Sequence, residues 1–152
     1  MDKKIAIFPG SFDPYTNGHH DIVMRSLQLF DKVVIGIGYN SSKKNRYFDI
    51  DLMVSKIESV YEGNERVEVV VYNELTSSLA KRIGANFLVR GLRNTTDFEY
   101  ENTISQMNRN LNEDLETVFL ITSPEFAAIS STIIRDVHRF GAPINMYLPY
   151  EV

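Results

Sequence analysis

The stretch FPGSFDPYTNGHHD, residues 8–21, carries the densest chemistry in the chain. Gly10 lets the backbone come close to a ligand, and Ser11 adds a hydroxyl and an N–H. Asp13-Pro14 favours a turn. Gly18-His19 then opens a helix, whose first-turn N–H groups have no partner within the helix. With the helix dipole those groups form an anion site, and a histidine in that turn can donate to a phosphate oxygen. Further cations follow apolar runs: Lys43 in NSSKKNRYF, and Arg90 and Arg93 in LVRGLR. A second helix start, Ser130–Thr132, supplies hydroxyls and more free N–H groups. This set is suited to holding polyanions.

The elements that must position these groups alternate along the chain. IAIF (5–8) reads as a buried strand, and HDIVMRSLQLF (20–30) places Ile22, Val23, Leu27 and Phe30 on one helical face. KVVIGIGY (32–39) is a second strand. Asp49 or Asp51 caps a helix through LMVSKIESVY, with Leu52, Met53, Ile57 and Val60 inward. VEVVVY (67–72) is a third strand, SSLAKRI (77–83) a short helix stopped by Gly84, and NFLVRG (86–91) a fourth strand. A polar segment from Thr95 to about Asn112 puts Phe98, Ile104, Met107 and Leu111 on one face. ETVFLI (116–121) is a fifth strand. SSTIIRDVHRF (130–140) is a helix capped by Ser130 or Ser131 and ended by Gly141. Strand and helix in alternation predict an α/β fold, a Rossmann-like doubly wound five-stranded parallel sheet with helices on both faces. Ligands of such sheets bind beyond the carboxyl ends of the strands, where the order reverses. The candidate residues follow those ends.

Composition excludes several classes. The 152 residues suffice for one domain, 1–152, with a full core. A net charge of −4 gives no bulk attraction to nucleic acid or acidic membranes, so any anion site must be a local cluster. The absence of cysteine removes disulfides, thiolate metal sites and thiol catalysis. Three histidines, two of them adjacent and so divergent on a helix, make a transition-metal site a poor expectation. The first apolar run is too short for a signal peptide and none approaches 18 residues, so a cytoplasmic protein without membrane partner is expected.

Thr16-Asn17-Gly18-His19 resembles the first signature of the nucleotidylyltransferase superfamily, and Ile129-Ser130-Ser131-Thr132-Ile133-Ile134-Arg135 its second, ISSTxxR. NSSKKNRYF, LVRGLRNTTDFEYE and MNRNLNEDLETVFL bring the resemblance closer, to the phosphopantetheine adenylyltransferases, across essentially the whole chain. The resemblance implies reversible transfer of the adenylyl group of ATP to 4′-phosphopantetheine, giving dephospho-coenzyme A and pyrophosphate. It implies Mg²⁺ as cofactor, coenzyme A as a candidate feedback ligand, and a homo-oligomer, commonly a hexamer. Such a reaction needs no activated nucleophile, because the attacking phosphate is already anionic. Cations and helix starts that position two polyanions are what it requires.

Position by position, the resemblance makes His19 the residue that stabilises the α-phosphate, and Lys43 a catalytic and acceptor-binding lysine. Ser11 touches both substrates, Phe12 adds backbone beside it, and Arg90 binds the acceptor. Leu75 and Thr76 lie near the pantetheine arm. Gly91, Leu92, Arg93 and Glu101 belong to the ATP site, as does the run Phe126, Ala127, Ala128, Ile129, Ser130, Ser131 and Thr132. No protein metal ligands are implied. Thr76 stands where the family often has a larger apolar residue, Phe126 where larger or more polar aromatics are common, and DIDLM lacks the family's usual Glu-Glu-Arg.

Plainer readings stand beside these. Lys43 and Lys44 suit a solvated loop, and Arg90 and Arg93 suit partners Asp97 and Glu99. His20 and His138 suit structural roles. A sibling enzyme acting on nicotinamide mononucleotide shares both signatures; RGLR and DFEYE favour pantetheine. A non-catalytic nucleotide-binding protein is the alternative of another class, and a nucleic-acid binder lacks a basic stripe.

Overall fold

The computed structural model describes residues 2–40 and 45–152. Five parallel strands, β1 (Ile5–Gly10), β2 (Lys32–Gly38), β3 (Val67–Tyr72), β4 (Phe87–Leu92) and β5 (Glu116–Ile121), form one sheet in the order β3-β2-β1-β4-β5. The helices between and after them are α1 (Asn17–Ser26), α2 (Ile50–Val60), α3 (Thr76–Ile83), α4 (Thr95–Leu111) and α5 (Ser131–Arg139). The sheet is the doubly wound one expected. The order reverses between β1 and β4, the first and fourth strands in sequence.

Alternation along each strand sends neighbouring side chains to opposite faces. Ala6 and Phe8 of β1 join Val33, Ile35 and Val89 on one face, under Ile22 and Val23 of α1, Met53 and Ile57 of α2 and Ile134 of α5. Ile7 joins Val34, Leu88 and Leu115 on the other, under Leu79 and Ala80 of α3. Helix α4 lies beside α3, against β4 and β5. Met53 and Ile57 are fully buried as the spacing predicts, but Leu52, about 100° around the helix from Met53, is exposed in the first turn that Asp49 caps.

Helix α1 starts at Asn17, one residue before Gly18, because Thr16 caps it, but its other end differs from expectation. It stops at Ser26, where bonds from Gln28 to the Arg25 carbonyl and from Leu29 to the Ser26 carbonyl tighten the chain. Phe30 is buried all the same, carried inward by that turn rather than by the helix.

Helix α4 is the outlier in composition. Glu101 is its one buried residue, and the expected apolar face of Phe98, Ile104, Met107 and Leu111 is exposed to solvent. No described helix is long and apolar enough to cross a membrane.

Candidate active site

The sheet parts where its order reverses. β1 stays paired with β2 as far as Gly10 and Ile37, and β4 with β5 as far as Leu92 and Ile121. Between β1 and β4 the pairing covers only Ala6 with Phe87 and Ile7 with Leu88. Beyond that point the two strands open a crevice, and Arg90 reaches across it to donate to the Pro9 carbonyl. A cavity of about 480 Å³ sits above the split. Its walls bring together Gly10, Ser11 and Phe12 after β1, His19 in the first turn of α1, Arg90, Gly91 and Arg93 from the end of β4, Glu101 of α4, and Phe126, Ile129, Ser130, Ser131 and Thr132 before and within α5. Both signatures therefore meet in one cavity, although more than a hundred residues separate them.

Two glycines keep this region open. A methyl group on Gly10 would stand 2.9 Å from the tip of the Phe12 ring, so the loop closes on that ring only without a side chain there. A methyl on Gly91 would come within 3.2 Å of Ile22, which seats α1 against β4. Phe12 itself adopts a left-handed backbone, φ 47°, uncommon for a bulky residue and matched to a tight reversal over the cavity.

His19 is held in one chemical form. It occupies the third position of α1, where a capping box usually places a glutamate or glutamine. Its Nδ1 accepts the Thr16 backbone N–H at 2.9 Å, while the His19 N–H donates to the Thr16 Oγ1 at 3.3 Å. An acceptor at Nδ1 leaves the proton on Nε2, so the ring is a neutral donor. Burial, then the Arg90 and Arg93 guanidinium groups, lower its pKa to about 3. Phe8 and Phe12 pack edge-on around the ring, with centroids 6.0 and 4.9 Å away. The imidazole is thus fixed as an uncharged N–H donor at the cavity wall.

Of the two arginines, Arg93 takes the neighbour its sequence suggests, Asp97, and Arg90 takes a more distant partner. Arg90 forks onto the Glu101 carboxylate, Nε to Oε2 at 2.9 Å and Nη2 to Oε1 at 2.6 Å. Arg93 donates to Asp97 at 3.1 Å, and this partnership with the backbone bond from the Arg93 N–H outweighs burial to hold the Asp97 carboxyl below its ordinary range. Both acidic residues lining the cavity are therefore committed to arginines. Among the described residues no group of three His, Asp or Glu side chains converges as a metal site. The donor set does not form a protein cage for a divalent cation.

A second, smaller cavity of about 200 Å³ adjoins the first and shares Pro9, Gly10, Arg90 and Glu101 with it. Leu88 and Ile104 give it apolar walls, and Tyr72, Thr76, Ser105 and Asn108 polar ones. Thr76 lies at the start of α3, where its hydroxyl pairs with that of Tyr72 at 2.9 Å. Leu75 directly precedes α3 without a side-chain capping bond and is exposed, and Leu75, Leu92, Ala127 and Ala128 line neither cavity. Lys43 lies outside the described residues.

The arrangement can take a nucleotide-sized polyanion beside a smaller, mixed polar and apolar molecule, with arginine at the junction. The comparisons with known proteins narrow this. Residues 7–137 match the cytidylyltransferase-like family model. A phosphopantetheine adenylyltransferase of Cytophaga hutchinsonii is 62% identical over 149 residues, 98% of this chain and 99% of the relative. One from Bacteroides fragilis is 46% identical over 144 residues, 95% of each. The chain belongs to the phosphopantetheine adenylyltransferase family. The fold is shared more widely. A bifunctional NMN adenylyltransferase/ADP ribose pyrophosphatase of Francisella tularensis superposes with a TM-score of 0.75 at 17% identity, over 99% of this chain and 46% of that one.

Within a phosphopantetheine adenylyltransferase fold, the residues missed in the sequence are those that hold the site from behind. Asp13 reads as a turn former, yet its carboxylate accepts the Tyr47 and Phe48 N–H groups, both at 2.8 Å. Arg135 of the second signature lines no part of the larger cavity; it donates to the Asp13 carbonyl at 2.6 Å. Asp21 accepts from Ser123 at 2.8 Å and so ties α1 to the segment that carries Phe126. Tyr72 had one legible signal, a hydroxyl at the end of a strand directly before a helix start. His20 bonds Tyr61 at 2.8 Å and His138 bonds Tyr47 at 2.6 Å, structural roles for both.

Proposed function

We infer that this chain transfers the adenylyl group of ATP to 4′-phosphopantetheine, releasing pyrophosphate and forming dephospho-coenzyme A. The observation that carries this reading is the junction of the two cavities at Arg90, Glu101, Pro9 and Gly10. The larger cavity, with two helix starts and His19, suits ATP. The smaller one, with Leu88 and Ile104 opposite Tyr72 and Thr76, suits an extended arm that carries amides. The acceptor's phosphate then lies at Arg90, beside the α-phosphate.

An oxygen of the acceptor phosphate attacks the α-phosphorus, and the bond from that phosphorus to the bridging oxygen breaks in line. The electron pair leaves with pyrophosphate, and no proton needs to move. The chain's work is to orient and to stabilise charge. His19 donates from Nε2 to the α-phosphate as charge grows there. Arg90 fixes the attacking phosphate, and Arg93 with the start of α5 holds the nucleotide phosphates. Ser11 serves both substrates, and Lys43 is the acceptor-binding lysine that the family resemblance implies. Magnesium is the proposed cofactor and comes bound to the triphosphate, whose oxygens are the ligands it prefers. Its chemistry is to neutralise the leaving pyrophosphate.

The enzyme is proposed to be cytoplasmic and homo-oligomeric, with coenzyme A as feedback ligand. The exposed Ile104, Met107 and Leu111 on α4, spaced three and four apart, support the oligomer, because a stripe of that kind favours burial against another copy. The family's commonest assembly, a hexamer, is the state expected in light scattering. The reaction is tested by pyrophosphate release from ATP and Mg²⁺ with 4′-phosphopantetheine and nicotinamide mononucleotide side by side. Turnover with the first acceptor and little with the second supports the assignment; equal or better turnover with the second defeats it.

A further inference from the structure

The loop between β1 and α1 is fastened by its carbonyls. Arg46 donates to Ser11 O at 2.5 Å and to Phe12 O at 3.0 Å, and its Nε to Phe48 O at 3.1 Å. Arg135 takes the carbonyl of Asp13, Ser131 that of Pro14 at 2.8 Å, and Tyr150 that of Tyr15 at 2.7 Å. Five successive carbonyls are thus held by side chains from three other parts of the chain. The Arg46 side chain is largely buried and lies 3.9 Å from the Asp13 carboxylate, which itself caps the Tyr47 and Phe48 N–H groups. The segment after β2 and the loop after β1 therefore clasp each other.

A trans peptide is planar, and its N–H points opposite to its C=O. The Ser11–Phe12 peptide is trans, the one cis bond being Asp13-Pro14. With the Ser11 carbonyl drawn toward Arg46, the Phe12 N–H points the other way. Arg46 lines a separate cavity that Phe12 does not, whereas Phe12 lines the 480 Å³ cavity at the sheet split, so the way opposite to Arg46 is toward that cavity. No hydrogen bond among the described residues engages the Phe12 N–H. A cationic donor on the carbonyl also polarises the peptide and strengthens its N–H as a donor. The planar arginine fork holds the two neighbouring carbonyls from separate nitrogens while its Nε takes the Phe48 carbonyl, which a single ammonium cannot reproduce in that geometry.

We propose that Arg46 is a positioning residue for the reaction: by clamping the Ser11 and Phe12 carbonyls it aims the Phe12 N–H at a reacting phosphate and makes the loop an anion cradle. This rests on the reading above that phosphates of the two substrates meet in this cavity. Arg46 lines no part of the cavity at the sheet split, so its proposed action there is indirect. Its contribution is the orientation and polarisation of a peptide.

The cradle is read directly in protein labelled with ¹⁵N-phenylalanine, the Phe12 resonance being identified by its loss in Phe12→Leu. ATP and 4′-phosphopantetheine, added separately at saturation, are the probes. The Phe12 amide is expected to shift with at least one of them, and Arg46→Ala to abolish that shift while the same probe still binds by calorimetry. In turnover, Arg46→Ala should lower kcat about tenfold or more, less than the roughly 10²–10³ typical of deleting an oxyanion donor itself, with both KM values within about threefold. Millimolar guanidinium should restore part of kcat without moving the melting temperature. Arg46→Lys, which keeps the charge but not the fork, should fall between and serves if the alanine variant does not fold. A Phe12 amide unmoved by both probes overturns the proposal, as does a kcat unchanged in both variants after normalising to folded protein. If wild-type protein fails to turn over 4′-phosphopantetheine, the assigned reaction fails, whereas an ATP-induced Phe12 shift lost in Arg46→Ala still establishes the cradle.

Discussion

Glu101 takes two arms of the Arg90 guanidinium, at 2.9 and 2.6 Å, and the Pro9 carbonyl takes a third. Arginine has five N–H donors, so two remain for a ligand, aimed by a fork whose other side is fixed. The resemblance places Glu101 in the ATP site, and Glu101 lines the larger cavity; its carboxylate also orients Arg90, the arginine proposed to bind the acceptor. Glu101→Gln removes one charge and half of the fork. The expected result is a rise in KM for the acceptor of about tenfold, within the range for a charge-assisted bond, with little change for ATP. Arg90→Ala should give the same pattern, and the double variant should lose less than the sum, because both act on one contact. A Glu101→Gln variant impaired for ATP alone contradicts this.

Arg93 separates from Arg90 by position. It lines the larger cavity and not the smaller one, whereas Arg90 lines both. Arg93→Ala should therefore weaken ATP in a calorimetric titration and leave the acceptor nearly unaffected. The opposite order for the two arginines would mean that the cavities have been assigned to the wrong substrates.

Much of this was legible in the residues. The five strands follow from β-branched runs between turn formers, and the parallel sheet from their alternation with helices. The two helix starts were legible from Thr16-Asn17-Gly18-His19 and Ser130-Ser131, since short hydroxyl side chains before an amphipathic run are capping signals. What local patterns could not reveal is partnership across the sheet. Arg90 pairs with Glu101, eleven residues away, rather than with the nearer acids, because the β4 end and the buried side of α4 face each other only after folding. The Arg46 clasp is invisible for the same reason: its partners are carbonyls of residues 11 and 12, and carbonyls leave no mark in a sequence. Leu52 misled because it is apolar yet stands one position, about 100° around the helix, from the buried Met53.

The half-buried, neutral His19 also leaves a mark on stability. Its pKa is about 3 in the folded protein and near 6.5 when unfolded, so between these values the unfolded chain binds more protons. Stability should therefore fall as pH drops from about 6.5 toward 3, at up to about 1.4 kcal/mol per pH unit from this group. Burial lowers the pKa of His20 as well, with Asp21 opposing, which adds to the slope in the same direction. Urea unfolding at a series of pH values should show a shallower acid limb in His19→Asn than in wild type. Equal slopes would show that the ring protonates freely in the folded state.

The neighbouring histidines give the sharpest test of catalysis. His19 presents a fixed Nε2 donor to the cavity, while His20, one position on, bonds Tyr61, which meets the Tyr15 hydroxyl at 2.5 Å in the core. In the proposed reaction, His19→Ala removes the donor that acts as charge develops on the α-phosphate. It should lower kcat by about 10²–10³ or more, with a much smaller effect on ATP binding. His20→Ala breaks the hydroxyl chain instead. It should lower the melting temperature and leave kcat within a few-fold. Because His19 is neutral at every pH where the fold is secure, its loss should depress the whole pH–rate profile without moving either limb. A residue acting as a general acid or base would remove a limb. His19→Gln, which keeps an N–H donor at similar reach, should recover part of the rate. Steady-state kinetics and thermal melts on the three variants decide between these roles. Matched kcat values for His19→Ala and His20→Ala would take His19 out of the reaction and leave it as a helix cap.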